Sequence, residues 1–444
     1  MLHLLVELRF SIILNVMNLK TLAIALISLI PCGCSPGNSA SPSIEVKSLR
    51  NTLMTDLIQN AIDSLAGLGG GVVVFSADTF LTGGLVMRSG ITLKLQSGTV
   101  LQGSENYLDY GSGKWREGLI VGDSLENISI IGAGIIDGVN CKNPKGEEGF
   151  RGPHAIRLTN CRNIRLENFS IIRSGNWAIN CRHVVGGFVK NVKISGGHDG
   201  LHTRFCSDFI VEDCDFRTGD DCFAGNDNTN FVIKNCKINT SCNGFRIGVD
   251  NLEIRDCVIW GPGEYAHLSQ NRNNMLSAFV HFSPKDENPK RSSGNWKISN
   301  LTVNEVDVFF DYNFKDGLWQ TGQPLTSVSM NNVEATNLKK SFLVRGDSLK
   351  QFSLSVSNSS FTQRDGSAIE SEYVFEGAKN ISPAFFNVSN FDSLSITNTK
   401  FETKTGGATA FLSNGKFALL KQISIEPAKK EWLLVEKVAS VSKD

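Results

Sequence analysis

Short segments that alternate hydrophobic and polar residues recur along the chain at a fixed interval. The copies Gly187–Ile194, Phe209–Phe216, Phe231–Ile238 and Leu252–Ile259 start 21 or 22 residues apart. Each copy turns at an Asn or Asp, a residue type that tolerates left-handed backbone and forms hydrogen bonds along a stack. Period, alternation and turn together predict an all-β fold, a single-stranded right-handed parallel β-helix. Its successive coils should lie ~4.7–4.9 Å apart.

The residues before and after these coils predict how the solenoid ends. Residues 45–66 place Leu and Ile at three- and four-residue steps, followed by Gly67 and Gly69–Gly71, which predicts an N-terminal capping helix. A bare first coil would expose its apolar interior, and such a helix covers it. The rhythm breaks over residues 261–294, which predicts an insertion that walls a binding groove. Residues 405–444 are predicted to cap the far end, so the β-helix domain spans 45–444.

The N-terminus is typical of an export signal. Lys20 precedes the apolar run Thr21–Ile30, which is too short to span a bilayer. Cys32 and Cys34 follow, and the arrangement resembles a bacterial lipoprotein signal in which a Cys becomes the lipidated N-terminus. Residues 1–34 are therefore predicted to be the signal, with Cys34 favoured for lipidation, and 35–44 a flexible linker. The protein is expected in the periplasm or at the cell surface, anchored to the outer membrane; simple cleavage and secretion is the alternative.

Charge and cysteine spacing indicate which partners and which covalent links to expect. The 44 basic residues equal the 44 acidic ones, which argues against a nucleic-acid partner. Cys214, Cys236 and Cys257 lie 22 and 21 residues apart, at one position of the repeat. Small buried thiols fill such an interior ladder well, so free cysteines are predicted instead of disulfides. No cofactor and no metal are predicted, and the protein is expected to be a monomer.

Three aspartates share one turn of the repeat. Asp199 precedes Asp220 and Asp221 by 21 and 22 residues, so the coils should bring all three onto one surface strip. Neighbouring carboxylates raise one another's proton affinity, so that one can act as an acid while the others stay bases. Carboxylates ~6.5–9.5 Å apart leave room for the attacking water of an inverting glycosidase, and stacking can supply that gap.

Several motifs resemble those of the polygalacturonase family of glycoside hydrolases. They include Thr82-Gly-Gly-Leu-Val-Met-Arg-Ser-Gly, Ile131-Gly-Ala-Gly-Ile-Ile-Asp-Gly and Gly219-Asp220-Asp221, and the resemblance extends to about residue 260. It implies a right-handed β-helix that hydrolyses a pectin-like polysaccharide or oligosaccharide, with Asp220 as general acid. It also implies that Asp199 and Asp221 activate the water. Asn243 replaces the family's His, and no Arg-Ile-Lys strand follows, which implies a different or unusual glycan.

The same strip supplies candidates for substrate binding. Arg204 and Arg246 are suited to pair with a uronate carboxylate, and His198 or His202 to replace the missing imidazole. An aromatic residue at a groove is either packing or a sugar platform. The predicted substrate-binding residues are His198, His202, Arg204, Asn243, Arg246, Trp177 and His267.

Two alternatives remain open. The same acids could hold Ca²⁺ in a polysaccharide lyase, with Arg246 as base; unsaturated products and sensitivity to chelators would indicate it. A β-helix with an inactive site could also bind surface glycans without cleaving them, since fold does not dictate function. Glycan affinity without turnover, unchanged by Asp220→Asn, would indicate that role.

Overall fold

A computed structural model describes residues 41–111, 117–315, 319–350, 352–365, 383–404 and 406–444. The predicted export signal and the linker up to residue 40 lie outside these residues. Within them, no helix combines the length and the apolar character that crossing a membrane requires.

The described chain is a succession of short strands with one α-helix. The helix α1 spans Thr55–Gly67, and three 3-10 helices span Tyr107–Tyr110, Glu147–Gly149 and Lys285–Glu287. The first strands are β1 Ser43–Val46, β2 Gly71–Phe75, β3 Thr79–Thr82, β4 Leu85–Val86, β5 Ile91–Leu95, β6 Val100–Gly103, β7 Gly118–Asp123, β8 Glu126–Ile131, β9 Ile135–Asp137, β10 His154–Thr159, β11 Arg162–Glu167, β12 Ser170–Ile172, β13 Ile179–Arg182, β14 Val185–Lys190 and β15 Lys193–Gly196. The later strands are β16 Leu201–Arg204, β17 Ser207–Glu212, β18 Asp215–Thr218, β19 Phe223–Lys234, β20 Lys237–Thr240, β21 Asn243–Arg255, β22 Val258–Trp260, β23 Ser277–His281, β24 Gly294–Asn304, β25 Val308–Asn313, β26 Ser327–Leu338, β27 Lys340–Arg345, β28 Phe352–Gln363, β29 Phe386–Glu402, β30 Ala410–Glu426 and β31 Leu433–Lys443.

These strands pair in parallel with the equivalent strands of the next coil and form three stacks. One stack contains β7, β10, β13, β16, the first part of β19 and of β21, then β23 and β25. In this stack Asn180, His202, Ala224, Arg246 and Val280 occupy one register position. The predicted all-β parallel solenoid is therefore confirmed, and the candidate site lies along this stack.

The predicted turn ladder is present. Asn191, Asp213, Asn235, Asp256 and Asn300 all have φ between 49° and 59°, in the left-handed region. Their side chains bond from coil to coil: Asn235 donates to Asp213 at 2.5 Å and Asn300 to Asp256 at 2.9 Å. Amide and carboxylate side chains suit this turn because they tolerate the backbone and satisfy one another along the stack.

The interior is filled by stacked apolar side chains. Phe223, Phe245 and Phe279 lie face to face with ring centroids 4.8 and 5.1 Å apart, close to one strand spacing. The nine cysteines within the described residues are all buried and free, including Cys214 and Cys236. The prediction of unbridged interior thiols is confirmed.

A helix is present near the N-terminal end of the solenoid, but it starts later than the predicted residue 45. The helix begins at Thr55, whereas residues 43–46 form β1, which pairs with β2 and extends that stack by one strand. The buried residues of α1 lie on one face of the helix; they are Ile58, Ala61, Ile62 and Leu65. The early leucines that suggested a longer helix, Leu49 and Leu53, are exposed.

Two further boundaries also differ from prediction. The stretch 261–294 is only partly an insertion, because β23 is a regular coil strand that pairs with β21 and β25. Its buried segment Ser277–His281 belongs to the core, and only the loops on either side of it can line the groove. Residues 405–444 were predicted to be a cap, yet β30 and β31 continue the parallel stack to its end.

Candidate active site

Three aspartates lie together at the turns that precede β16 and β19. One oxygen of each of Asp199, Asp220 and Asp221 lies within 4.8 Å of the others. Gly219 permits this turn, because a Cβ there would lie 2.3 Å from the carbonyl oxygen of Ala266. The oxygens are closer than the ~6.5–9.5 Å expected for an inverting enzyme, so that part of the prediction was wrong.

Asp199 is a buried carboxyl group whose surroundings favour its protonated form. Its residue is 2% exposed, and burial, reinforced by the charges of Asp220 and Asp221, raises its pKa well above the usual range. Oδ2 of Asp199 accepts a hydrogen bond from Nδ1 of His202 at 2.7 Å. Asp199 therefore binds a proton more readily than Asp220 does.

Asp220 is the most exposed of the three aspartates, with 15% of its side chain accessible. Burial alone would raise its pKa, but His267, Arg151 and Arg246 hold the pKa of Asp220 below its usual range. Nη2 of Arg151 lies 3.2 Å from Oδ2, and Nε2 of His267 lies 3.6 Å from Oδ1. The carboxylate of Asp220 is thus ionised at rest.

Asp221 is fully buried and held by two donors. Nε of Arg246 donates to Oδ2, and Nδ2 of Asn243 donates to Oδ1 at 2.8 Å. The Arg246 guanidinium in turn lies over the rings of Phe282 and Trp319, at 4.1 and 5.3 Å from their centroids. Such stacking fixes the guanidinium and, through it, the buried carboxylate.

A chain of polar contacts runs behind Asp199. Nε of Arg204 donates to Nε2 of His202 at 3.0 Å, and Glu287 accepts from Arg204 at 2.9 Å. Because arginine is always protonated, Nε2 of His202 must carry the lone pair and Nδ1 the proton. Burial, then the charges of Arg204 and Arg246, also lower the pKa of His202 well below the usual range. A neutral His202 in this tautomer donates to Asp199.

The loop that carries Glu287 is itself anchored. The backbone N–H groups of Lys290 and Arg291 donate to the carboxylate of Asp227 at 2.9 and 2.7 Å. The ring of Trp177 stacks on His202 with centroids 3.7 Å apart. His202 is therefore fixed by bonds at both ring nitrogens and by a stacked face.

A cavity of about 410 Å³ opens over the carboxylates. Of the residues predicted from the sequence, it is lined by Trp177, Asp199, Asp220, Asp221, Asn243, Arg246 and His267. His198 instead lines a neighbouring cavity of about 630 Å³ and stacks on Phe150. His202 and Arg204 lie behind Asp199 and line neither cavity. They were predicted to bind the substrate, but in the structure they position other side chains instead.

Sequence reasoning missed several lining residues, among them Glu148, Arg151, Asp311, Trp319 and Gln320. Arg151 lies 69 residues before Asp220 in a loop that has no repeat position. Asp311 and Trp319 follow the irregular stretch, where the period can no longer be counted. In the sequence, site residues could be recognised only by their position within the repeat. Residues on loops that return to the site have no such position and could not be recognised.

Among the residues that the structure describes, two groups of side chains have the donor types and closeness that a cation requires. They are the three aspartates, and Asp220 with Cys242 and His267. The guanidinium groups of Arg151 and Arg246 already bind Asp220 and Asp221, however, and Arg272 contacts the sulfur of Cys242 at 3.5 Å. Positive charge at this distance disfavours a cation in either group.

Comparisons with known proteins agree with this fold. The family model "Right handed beta helix region" matches residues 126–278. A probable polygalacturonase of Vitis vinifera is 28% identical over 205 residues, covering 39% of this chain and 41% of that protein. A polygalacturonase of Ralstonia solanacearum is 37% identical over 117 residues, 23% of this chain and 21% of its own length.

The similarity thus spans less than half the length of either relative. Among solved structures, an exopolygalacturonase from Thermotoga maritima is similar with a TM-score of 0.59 and 18% identity, over 88% of this chain and 91% of that one. At this identity the likeness concerns the fold, a right-handed parallel β-helix.

Proposed function

Since the chain is polygalacturonase-like in sequence and fold, we propose that it is a glycoside hydrolase acting on a pectin-like polysaccharide or oligosaccharide. One observation carries this proposal: of the three clustered aspartates Asp220 is the most exposed to the cavity, and the two buried carboxylates lie within 4.8 Å of it. Such an arrangement separates a proton donor from a pair of bases.

In the proposed reaction Asp220 donates its proton to the glycosidic oxygen as the bond to the anomeric carbon breaks. A water held by Asp199 and Asp221 attacks that carbon, and Asp199 accepts the water's proton. Asp199 thereby regains the proton that it holds at rest, and Asp220 returns to its ionised form. The proton reaches Asp220 before the reaction, because binding of an anionic sugar offsets the charge of Arg151 and Arg246 and lets the proton move from Asp199 to Asp220.

Burial supports water as the nucleophile. Asp221 is fully buried and bonded at both oxygens, and Asp199 is 2% exposed and bonded to His202. Neither carboxylate has free surface with which to form a covalent bond to a sugar. Inversion at the anomeric carbon is therefore proposed despite the short gap, and proton NMR of the first product anomer tests it.

Arg246 is the proposed ligand of a uronate carboxylate. Only Nε of Arg246 is engaged by a described residue, Asp221, so its two Nη groups remain as a fork of donors at the cavity. This supports an acidic sugar at the cleavage point, as in pectin.

The test is incubation of the purified protein with a panel of pectic polysaccharides and oligosaccharides, with detection of new reducing ends. Release from at least one acidic glycan is expected, and it should persist in EDTA, because arginines neutralise the carboxylates. Loss of activity in EDTA together with unsaturated products would indicate a lyase. Glycan binding without any release would indicate a binding protein.

Arg151 should set the pH range of the reaction. Arg151→Gln removes a charge that holds the pKa of Asp220 low, so the pKa of Asp220 should rise. A general acid must be protonated, so activity persists to higher pH, and the alkaline limb of kcat/KM should move up by about one pH unit. Arg151→Lys retains the charge and should leave the limb near its wild-type position. An unmoved limb in Arg151→Gln would exclude this electrostatic role.

Arg204 should act through the tautomer of His202. Arg204→Met removes the donor to Nε2, and kcat should fall by about tenfold with little change in KM, because Asp199 loses its fixed partner. In ¹⁵N NMR the His202 ring should lose the pure Nδ1–H form. Arg182, the register partner of Arg204 on β13, contacts the ring of Phe205, and Arg182→Met is the matched control. Unchanged NMR signals in Arg204→Met would refute the tautomer argument.

Two proposals concern the ends of the chain. We propose that residues 1–34 direct export and that Cys34 carries the lipid that anchors a monomeric protein at the periplasmic or cell surface; mass spectrometry of the mature N-terminus tests this. We also propose that helix α1 caps the first coil, since its buried face packs against β2 and its neighbours. Exposure of that coil to proteases on disruption of α1 would be the consequence.

A further inference from the structure

A second cavity, of about 630 Å³, lies beside the catalytic cavity and shares a wall with it. In three segments of this wall, consecutive residues line opposite cavities: Phe150 and Arg151, His198 and Asp199, and Ala266 and His267. The two loops of the wall are joined where the hydroxyl of Ser269 donates to Glu148 at 2.6 Å. Within the described residues, none lines both cavities. A molecule bound in the second cavity would therefore lie apart from the three aspartates.

The lining of the second cavity carries a net positive charge. Among the described residues that line it, Lys142 and Arg173 are basic and none is acidic. Asp137, which lies behind the lining, accepts from Nε and Nη2 of Arg173, so Nη1 is the part of this guanidinium that is left for a ligand. Asp137 offsets the charge of Arg173, and the exposed Lys142 supplies the net charge. Such a lining attracts an anion.

His198 is a buried polar group in the lining of the second cavity. It is 6% exposed, and neither ring nitrogen has a hydrogen-bond partner among the described residues. Burial, reinforced by the charge of Arg151, lowers the pKa of His198 to about 4. The imidazole is therefore neutral at pH 7, with one donor nitrogen and one acceptor nitrogen. A buried polar group without a partner is costly, and a hydroxyl of a ligand would satisfy it.

Aromatic side chains complete the lining. Phe150 stacks on His198 with ring centroids 6.0 Å apart, and Tyr265 is 38% exposed. Sugars bind where an aromatic ring meets the apolar face of the sugar and a few polar groups fix its hydroxyls. The volume lies within the range of ~300–1,000 Å³ that is usual for sites of small ligands. The lining thus suits a ligand that has a ring face, hydroxyls and a negative charge.

We propose that the second cavity binds an acidic saccharide, with Lys142 and Arg173 receiving its carboxylate and His198 binding a hydroxyl. No bond is broken there, because the three aspartates lie on the other side of the shared wall. The site instead holds a further molecule of the glycan beside the one that is cleaved. That role rests on the proposed function, but the binding itself does not.

Calorimetry with trigalacturonic acid tests the proposal in an Asp220→Asn background, which separates binding from turnover. This parent variant should bind two molecules, one in each cavity. Adding Lys142→Glu should weaken binding in the second cavity at least about tenfold, because repulsion replaces attraction. Lys142→Arg should retain both molecules. Lys145, an exposed residue of the same loop that does not line the cavity, provides the control Lys145→Glu, which should also retain both.

The methyl ester of the same trisaccharide lacks the negative charge and should not occupy the second cavity. The inference is overturned if the parent variant binds no trisaccharide, or if Lys142→Glu binds as many molecules as the parent with unchanged affinity. It is also overturned if Lys145→Glu weakens binding as much as Lys142→Glu does. If the wild-type protein cleaves no acidic glycan while binding depends on Lys142 as expected, the proposed hydrolysis fails and the second site stands.

Discussion

Asp220→Asn should lower kcat on the true substrate by on the order of 10³-fold, because the substitution removes the proposed general acid and leaves the other two carboxylates in place. Asparagine has nearly the same shape, so the turn should be retained. Losing the contact with Arg151 is destabilising, but relief of repulsion against Asp199 offsets it, and the melting temperature should change little. Initial rates of reducing-end release and thermal melts measure the two effects.

Asp215 provides the matched control for this substitution. It lies on β18 of the same coil and pairs with Arg217 at 2.9 Å, away from the cavity. Asp215→Asn should keep wild-type kcat. Wild-type activity in Asp220→Asn would remove Asp220 from the mechanism, whatever happens to the other aspartates.

Asp199→Asn should abolish activity and at the same time stabilise the protein at neutral pH, by about 1–2 kcal/mol in the free energy of unfolding. The carboxylate of Asp199 is buried against two like charges, whereas an amide carries no charge and still accepts from His202. The pKa of Asp199 is higher in the folded protein than in the unfolded chain. The contribution of this group to wild-type stability is therefore fully present below its pKa in the unfolded chain, and it is lost as the pH rises through its pKa in the folded protein. The advantage of the variant should therefore grow with pH and vanish in acid.

Asp221→Asn should change stability in the opposite direction. Its carboxylate is the partner of the Arg246 guanidinium, and removing one member of a buried pair costs about 3–5 kcal/mol. Chemical denaturation of both variants over a pH series measures the contrast. Equal effects on stability in the two variants would contradict the account, in which Asp199 is destabilised by like charges and Asp221 is stabilised by its pair with Arg246.

The coils could be predicted from the sequence because each coil depends on residues that are close together in the chain and recur at a fixed interval. The alternating strands, the left-handed Asn and Asp turns and the stacked free cysteines all follow from one repeating unit, and the repeat placed Asp199 beside Asp220 and Asp221. The resemblance to polygalacturonases, based on motifs such as Gly219-Asp220-Asp221, is likewise confirmed.

What the sequence could not provide depends on contacts between distant segments. Arg151 and Glu287 reach the site from loops without a repeat position, so the order of proton affinities among the aspartates was not predictable. Like-charge repulsion suggested that one acid would gain a proton, but the guanidinium and imidazole around Asp220 decide that Asp199 gains it. The start of α1 was misplaced because the exposed Leu49 and Leu53 follow the helical spacing by chance.

Hydrolysis of a pectic oligosaccharide in H₂¹⁸O, followed by mass spectrometry of the fragments, tests the central claim most directly. If water activated by Asp199 and Asp221 breaks the bond, each new reducing end carries one ¹⁸O atom at the anomeric position, and Asp220→Asn yields almost no labelled fragment. Fragments that contain no ¹⁸O and have lost the elements of water would contradict hydrolysis.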